Sequence, residues 1–221
     1  MDKYQIVQKI ENFAPLETQE KWDASGWVVE LREREISKIM FALTVTDQIV
    51  EQAISKNCDM IISHHPLFFV PLSYKKINIY AAHTNLDRAE GGTTDLILAK
   101  LGLKKSYNND FARIVELEKP ISVEELKSKL LKISPKLRYV NNLNATEVKT
   151  IGFCAGSGSE FIGKTDAFVT GDIKFHTACD AKTVLFDIGH FESEIFAPQL
   201  LKDITEVGER GIIADEKSPF I

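Results

Sequence analysis

Apolar positions in the first third of the chain alternate between helical and extended spacing. Ile6, Val7, Ile10 and Phe13 fall on one face of a helix over residues 4–13, which Pro15 ends. The turn Trp22-Asp23-Ala24-Ser25-Gly26-Trp27 leads into a short strand over 28–31, and the run 36–46 reads as a buried strand. Thr46 or Asp47 is placed to cap a helix whose apolar face is Ile49, Val50, Ala53 and Ile54. Asn57 closes that helix, and 59–63 is the next strand. This βαβ unit predicts two parallel strands with a right-handed crossover.

The alternation continues to the end of the chain. Residues 77–83 form a strand, and Gly91-Gly92-Thr93-Thr94-Asp95 opens a helix through Leu101, with Gly102 suited to its C′ position. A different texture follows: a strand over 111–117, a capping box Ser122-x-x-Glu125 opening a helix to about Ile133, and a short strand at 137–140. Strands at 150–155, 166–170 and 183–188 then alternate with helical segments, the last helix spanning 191–206, and Ile212-Ile213 is read as a terminal strand. The fold class is α/β: two α/β halves, 1–103 and 150–221, with mainly parallel sheets and a small α+β segment, 104–149, between them.

Composition narrows the function classes. The 221 residues carry a net charge of −5 without a basic stripe, so nucleic acid is a poor partner. No apolar run is long enough to span a bilayer, and the first residues lack a signal-peptide apolar region. Three cysteines, Cys58, Cys154 and Cys179, are odd in number and widely spaced. They suggest no disulfide framework and a reducing, cytoplasmic setting.

Candidate chemistry concentrates where strands are expected to end. The apolar run Met60-Ile61-Ile62-Ser63 stops at His64-His65, and Pro66 forbids its continuation. In open α/β sheets that edge binds ligands. Adjacent side chains on an extended backbone diverge, so His64 and His65 suit either two metals side by side or a local turn. His83, His176 and His190 occupy similar strand-end positions, accompanied by Asp87, Asp172, Glu192 and Glu194. In a helix, His190-x-x-x-Glu194 places imidazole and carboxylate on one face. His64, His65, Asp87, His190 and Glu194 together offer three nitrogens and two carboxylates, more than one catalytic zinc requires. They suit two divalent ions, with zinc, iron or manganese favoured over calcium or magnesium. Two such ions, two carboxylates and one hydroxide sum to about one positive charge, which would attract an anionic substrate. Gly156-Ser157-Gly158-Ser159 could cradle a phosphate, but no Walker-type lysine is in register and a flexible turn is the plainer reading. Trp22 and Trp27 read as core or interface residues.

Four blocks carry a family resemblance: 62–68 (ISHHPLF), 82–87 (AHTNLD), 170–176 (TGDIKFH) and 187–194 (DIGHFESE). In this order they resemble the Nif-three-like family, whose members are also called GTP cyclohydrolase I type two homologues, and the match covers nearly the whole chain. The resemblance implies two intertwined α/β domains, a dinuclear metal centre between them and a ring-shaped homohexamer. Its metal ligands would be His64, His65, Asp87, His190 and Glu194. His83 and His176 would be neighbours available for proton transfer, with Asp172 orienting one of them. Trp22-Asp23-Ala24 and Thr93-Thr94-Asp95 depart from the family pattern, which bears on substrate contacts rather than on metal binding. The resulting expectation is a metal-dependent hydrolase of a small nucleotide-like or phosphorylated substrate. The alternative is a non-catalytic metal-binding regulatory, scaffold or metal-delivery protein with a protein partner.

Overall fold

The computed structural model describes residues 1–220. In chain order its elements are α1 (Lys3–Phe13), β1 (Gly26–Val29), β2 (Ile39–Ala42), α2 (Asp47–Ser55), β3 (Met60–Ser63), β4 (Asn78–Ala81) and α3 (Thr84–Arg88). There follow α4 (Thr93–Leu101), β5 (Tyr107–Asn109), β6 (Ala112–Ser122), α5 (Val123–Leu130), β7 (Arg138–Val140) and β8 (Glu147–Phe153). The chain ends with β9 (Ala167–Thr170), α6 (Phe175–Cys179), β10 (Val184–Asp187), α7 (His190–Glu194), α8 (Ala197–Thr205) and β11 (Gly211–Ile213).

The elements form two compact units. The first comprises Met1–Gly92 and the chain from Phe196 onward. Its sheet runs β1-β4-β3-β2-β11, parallel throughout except for β1 at one edge. Both faces are covered, so the central strands are apolar at every position rather than alternating. Phe41, Ile62 and Tyr80 pack with Ile6 and Ile10 of α1 and Leu201 of α8. Met40, Ile61 and Ile79 point the other way, toward Ile49, Val50 and Ala53 of α2. Thr46 caps α2, its hydroxyl accepting from the Ile49 N–H. Register sets the functional edge: Ala42 lies opposite Ser63, and Ser63 opposite Ala81, so β2, β3 and β4 end level with one another.

The second unit, Thr93–Ile195, has the sheet order β5-β6-β8-β9-β10-β7. Its centre, β8-β9-β10, is parallel, and its flanks are antiparallel. The expectation of mainly parallel strands therefore holds for the first sheet and for the middle of the second. Phe153, Val169 and Phe186 pack with Leu98 of α4 and Leu126 of α5, and Ile114, Phe168 and Leu185 form the opposite face. Ser122 caps α5 by accepting from the Glu125 N–H, as the capping box predicts.

The unit boundaries differ from those expected. Residues 93–103 belong to the second unit, and the chain from Phe196 returns to the first, where β11 adds parallel to β2. The helix expected over 191–206 is two helices, α7 and α8. Pro198 supplies the reason: its ring in an unbroken helix would meet the carbonyl of Glu194, so a new helix starts with proline in its first turn. Helix α3 and strand β5 were not foreseen, and β6 extends beyond the expected 111–117. Among the described residues no helix is long and apolar enough to cross a membrane.

Phe186 is fully buried near the end of β10, just before Asp187 and the turn that leads to His190. Phe186→Ala should destabilise the second unit by about 3–5 kcal/mol, through lost burial and the cavity left behind. Urea unfolding measures this directly; a loss below about 1 kcal/mol would show that the site collapses around the gap.

Candidate metal centre

In the first unit, His64 and His65 lie just past the end of β3, in a bend that replaces extended backbone. Their N–H groups follow the β2 edge, His64 donating to the Ala42 carbonyl at 3.1 Å and His65 to that of Leu43 at 2.9 Å. The rings do not diverge: their centroids are 5.0 Å apart. Of the two geometries left open by the sequence, the local turn is the one formed. His83, just past β4, joins them with centroids 5.2 and 5.6 Å away. One ring nitrogen from each of the three imidazoles lies within 4.8 Å of the others, a grouping that could hold a metal ion.

Each ring is oriented through Nδ1 by an oxygen. His64 Nδ1 is 2.8 Å from the Ala82 carbonyl. His65 Nδ1 is 2.7 Å from Thr44 Oγ1. His83 Nδ1 is 2.9 Å from Asp23 Oδ1. An imidazole that donates from Nδ1 presents a lone pair at Nε2, the arrangement typical of metal-ligating histidine. His64 is buried, and its Nε2 faces Asp87 Oδ1 at 3.4 Å. Asp87 is carried by α3, so that unforeseen helix is what aims the carboxylate at the imidazole.

Asp23 binds several parts of this half-site together. Its carboxylate accepts from the N–H groups of Ala24 and Thr84 and from the hydroxyls of Ser25 and Thr84, besides holding His83. Through Thr84 it caps α3 from a loop 61 positions away in sequence. Burial opposes its ionisation, but hydrogen bonds from His83 and Thr84 outweigh that and hold the carboxyl far below the usual carboxylate range. Sequence reasoning did not give Asp23 this role. Trp22 stands edge-on to His83 at 5.9 Å and is exposed rather than part of the core.

In the second unit, His190 opens α7 and Glu194 closes it, with Nε2 3.0 Å from Oε2. The shared helical face expected from the spacing is realised. His190 Nδ1 is 2.7 Å from Asp172 Oδ2, so the same oxygen-held pattern appears a fourth time. Asp172 takes a left-handed backbone conformation (φ 52°) in the turn after β9. It orients His190, not His83 or His176 as anticipated. His176 on α6 is exposed, its ring against Phe175. Gly156, read from sequence as part of a flexible turn, lies against Glu194 and His190. A Cβ there would come within 2.2 Å of Glu194 Oε1, and φ is +63°. Ser193 Oγ accepts from the Gly156 N–H at 2.9 Å and donates to the His190 carbonyl at 2.7 Å, pinning the loop to α7.

The hydrogen bond to Glu194 raises the pKa of His190 from 6.5 to about 9, against a smaller opposing effect of burial and with help from Asp172. In the metal-free protein His190 is therefore a cation at neutral pH, matching the buried Glu194 carboxylate. A raised folded pKa favours the protonated folded state. Its stabilisation should be complete below pH 6.5 and fade as pH rises toward about 9. NMR titration of the His190 ring should place its midpoint near 9 in stripped protein, and Glu194→Gln should lower it; a midpoint near 6.5 in both would refute the pairing. Gly156→Ala should displace the Glu194 carboxylate, lowering that midpoint and destabilising the unit by about 1–3 kcal/mol.

The profile of the family described as Duf34/NIF3 (NGG1p interacting factor 3) matches residues 1–210. A protein of Clostridium perfringens named "GTP cyclohydrolase 1 type 2 homolog" is 34% identical, over 93% of this chain and 90% of its own length. One of the same name from Campylobacter jejuni is 33% identical, over 98% and 97%. Among solved structures, protein ybgI, described as of unknown function, superposes with a TM-score of 0.88 at 22% identity, covering 99% of this chain and all of that one. Reduced HcgD from Methanocaldococcus jannaschii gives 0.82 at 24% identity, covering 96% of each. These two likenesses agree in fold with the α/β architecture described above, and the profile match shows that the chain belongs to the Duf34/NIF3 family.

Proposed function

We propose that this protein is a metal-dependent hydrolase of a small nucleotide-like or phosphorylated molecule. His64, His65, Asp87, His190 and Glu194 would hold two divalent ions. The observation that carries this reading is the repeated orientation of imidazoles: His64, His65, His83 and His190 each have Nδ1 engaged by an oxygen. Structural histidines need no such uniformity, whereas metal ligands do. The donor set, nitrogens with a minority of carboxylates, fits zinc, iron or manganese. When bound, such ions act as Lewis acids and lower the pKa of water.

The chain's own residues then have distinct tasks. Asp23 remains ionised and fixes His83, which is thereby suited to take up and release a proton beside His64 and His65. Asp172 fixes His190 through Nδ1. The names of the relatives point to a guanine nucleotide as the first substrate to test. His176 is given no step.

A second reading has support in the family description, an interacting factor: the metal centre would serve a module that binds another protein. Turnover separates the two. Elemental analysis should find two ions per chain, with His65→Ala or Glu194→Ala losing them. Against a panel of nucleotides and phosphoesters, wild-type protein should exceed His64→Ala. His83→Ala should retain its metal and lose about 10²–10⁴-fold in rate. Full metal content without turnover on any member of the panel would favour the protein-binding module.

A further inference from the structure

We propose that Glu216 is a positioning residue for His65, acting through Thr44; the inference rests on His65 being a metal ligand. Beyond β11 the chain lies along the functional edge of the first sheet and is tied down at three consecutive residues. The Ala214 N–H donates to the Phe41 carbonyl at 2.8 Å. Asp215 exchanges two hydrogen bonds with the Gln52 side chain of α2, its N–H donating to Oε1 and its carbonyl accepting from Nε2. The half-buried Glu216 then turns its carboxylate onto the end of β2. Oε1 accepts from the Leu43 N–H at 2.5 Å, and Oε2 from the Thr44 N–H at 2.9 Å.

Those two residues serve His65 on their other side. The Leu43 carbonyl accepts the His65 N–H at 2.9 Å, and Thr44 Oγ1 meets His65 Nδ1 at 2.7 Å. Leu43 and Thr44 have left the regular strand, and the carboxylate rather than a neighbouring strand takes up their N–H groups. Those two N–H bonds only partly counter the burial that raises the carboxyl pKa. Fixing the Thr44 backbone helps place its hydroxyl, which holds the His65 ring in its rotation through Nδ1. A metal ligand held this way binds more tightly than one that must order itself, and outer partners of ligating histidines typically contribute about 10–100-fold in affinity. Glu216 is one step further out, at the low end of that range.

The test is zinc affinity of the full chain, by competition with a chelator of known affinity. Glu216→Gln and Thr44→Val should each weaken binding by about tenfold. The double variant should lose no more than either single one, because both cut the same path. In metal-free protein, the ¹⁵N shifts of the His65 ring should change in both. Gln52→Ala loosens the same strap without touching Glu216; it should lower Tm and leave zinc affinity within about twofold of wild type. Unchanged affinity in Glu216→Gln, losses that multiply in the double variant, or an equal loss in Gln52→Ala would each overturn the proposal. Should His65→Ala bind zinc as wild type does, the metal reading itself fails, an outcome distinct from a failure of Glu216 alone.

Discussion

A hydrogen bond at imidazole Nδ1 is the constraint on which the rest of this arrangement depends. An unrestrained histidine interconverts tautomers and rotamers, and either nitrogen can meet a ligand. Holding Nδ1 against an acceptor removes that ambiguity and directs Nε2. The acceptors are chemically different: the Ala82 carbonyl, the Thr44 hydroxyl and the carboxylates of Asp23 and Asp172. They also come from different places in the chain, so the orientation of the rings is a product of the tertiary fold. In the first unit the reason is register. β2, β3 and β4 are parallel and end level, which brings Thr44, His64, His65, Ala82 and His83 to one edge. A slip of one residue in any strand would turn these side chains to the opposite face.

Charge explains how the His190–Glu194 pair is stable as it stands. Glu194 is buried, and an isolated buried carboxylate is costly. His190 answers that with a proton, its pKa raised to about 9. The proton stands where a cation would be, and metal would displace it on binding. Asp23 solves the same problem differently, gathering His83 and donors from Thr84, Ala24 and Ser25 around itself so that it stays ionised. One carboxylate is thus arranged to exchange its partner and the other to keep it.

What the sequence conveyed follows from range. Helices α1, α2 and α5 were legible because periodicity and caps are local, and strands β2, β3, β4, β9 and β10 because a sheet buried on both faces gives uninterrupted apolar runs. Helix α3 was not: at five residues it is too short for periodicity, and its cap comes from Asp23. Asp23 and Glu216 eluded sequence reasoning because their partners lie far away along the chain. His176 illustrates the converse, since a strand-turn-helix position resembling that of His190 left it exposed on α6. Pro198 was legible and undervalued; it separates α7 from α8 where the chain passes from one unit to the other.

The divergence of adjacent side chains, which from sequence alone suggested a metal for each of His64 and His65, is not what the backbone does. The bend after Ser63 makes the rings neighbours, and with His83 they form one grouping that could hold a metal ion. A similar revision applies around His190. Gly156 and Asp172 both occupy left-handed conformations, the one bringing backbone against Glu194 and the other bringing a carboxylate to Nδ1. A side chain at position 156 would strike Glu194, and an ordinary backbone at 172 would aim its carboxylate elsewhere. At Gly156 the conformation carries no steric cost, whereas at Asp172 it costs about 1–3 kcal/mol that surrounding packing must supply. Both are concentrated at two turns that shape one imidazole-carboxylate pair. Positive φ occurs elsewhere in the chain as well, but at these two turns it fixes where an imidazole and a carboxylate stand relative to one another.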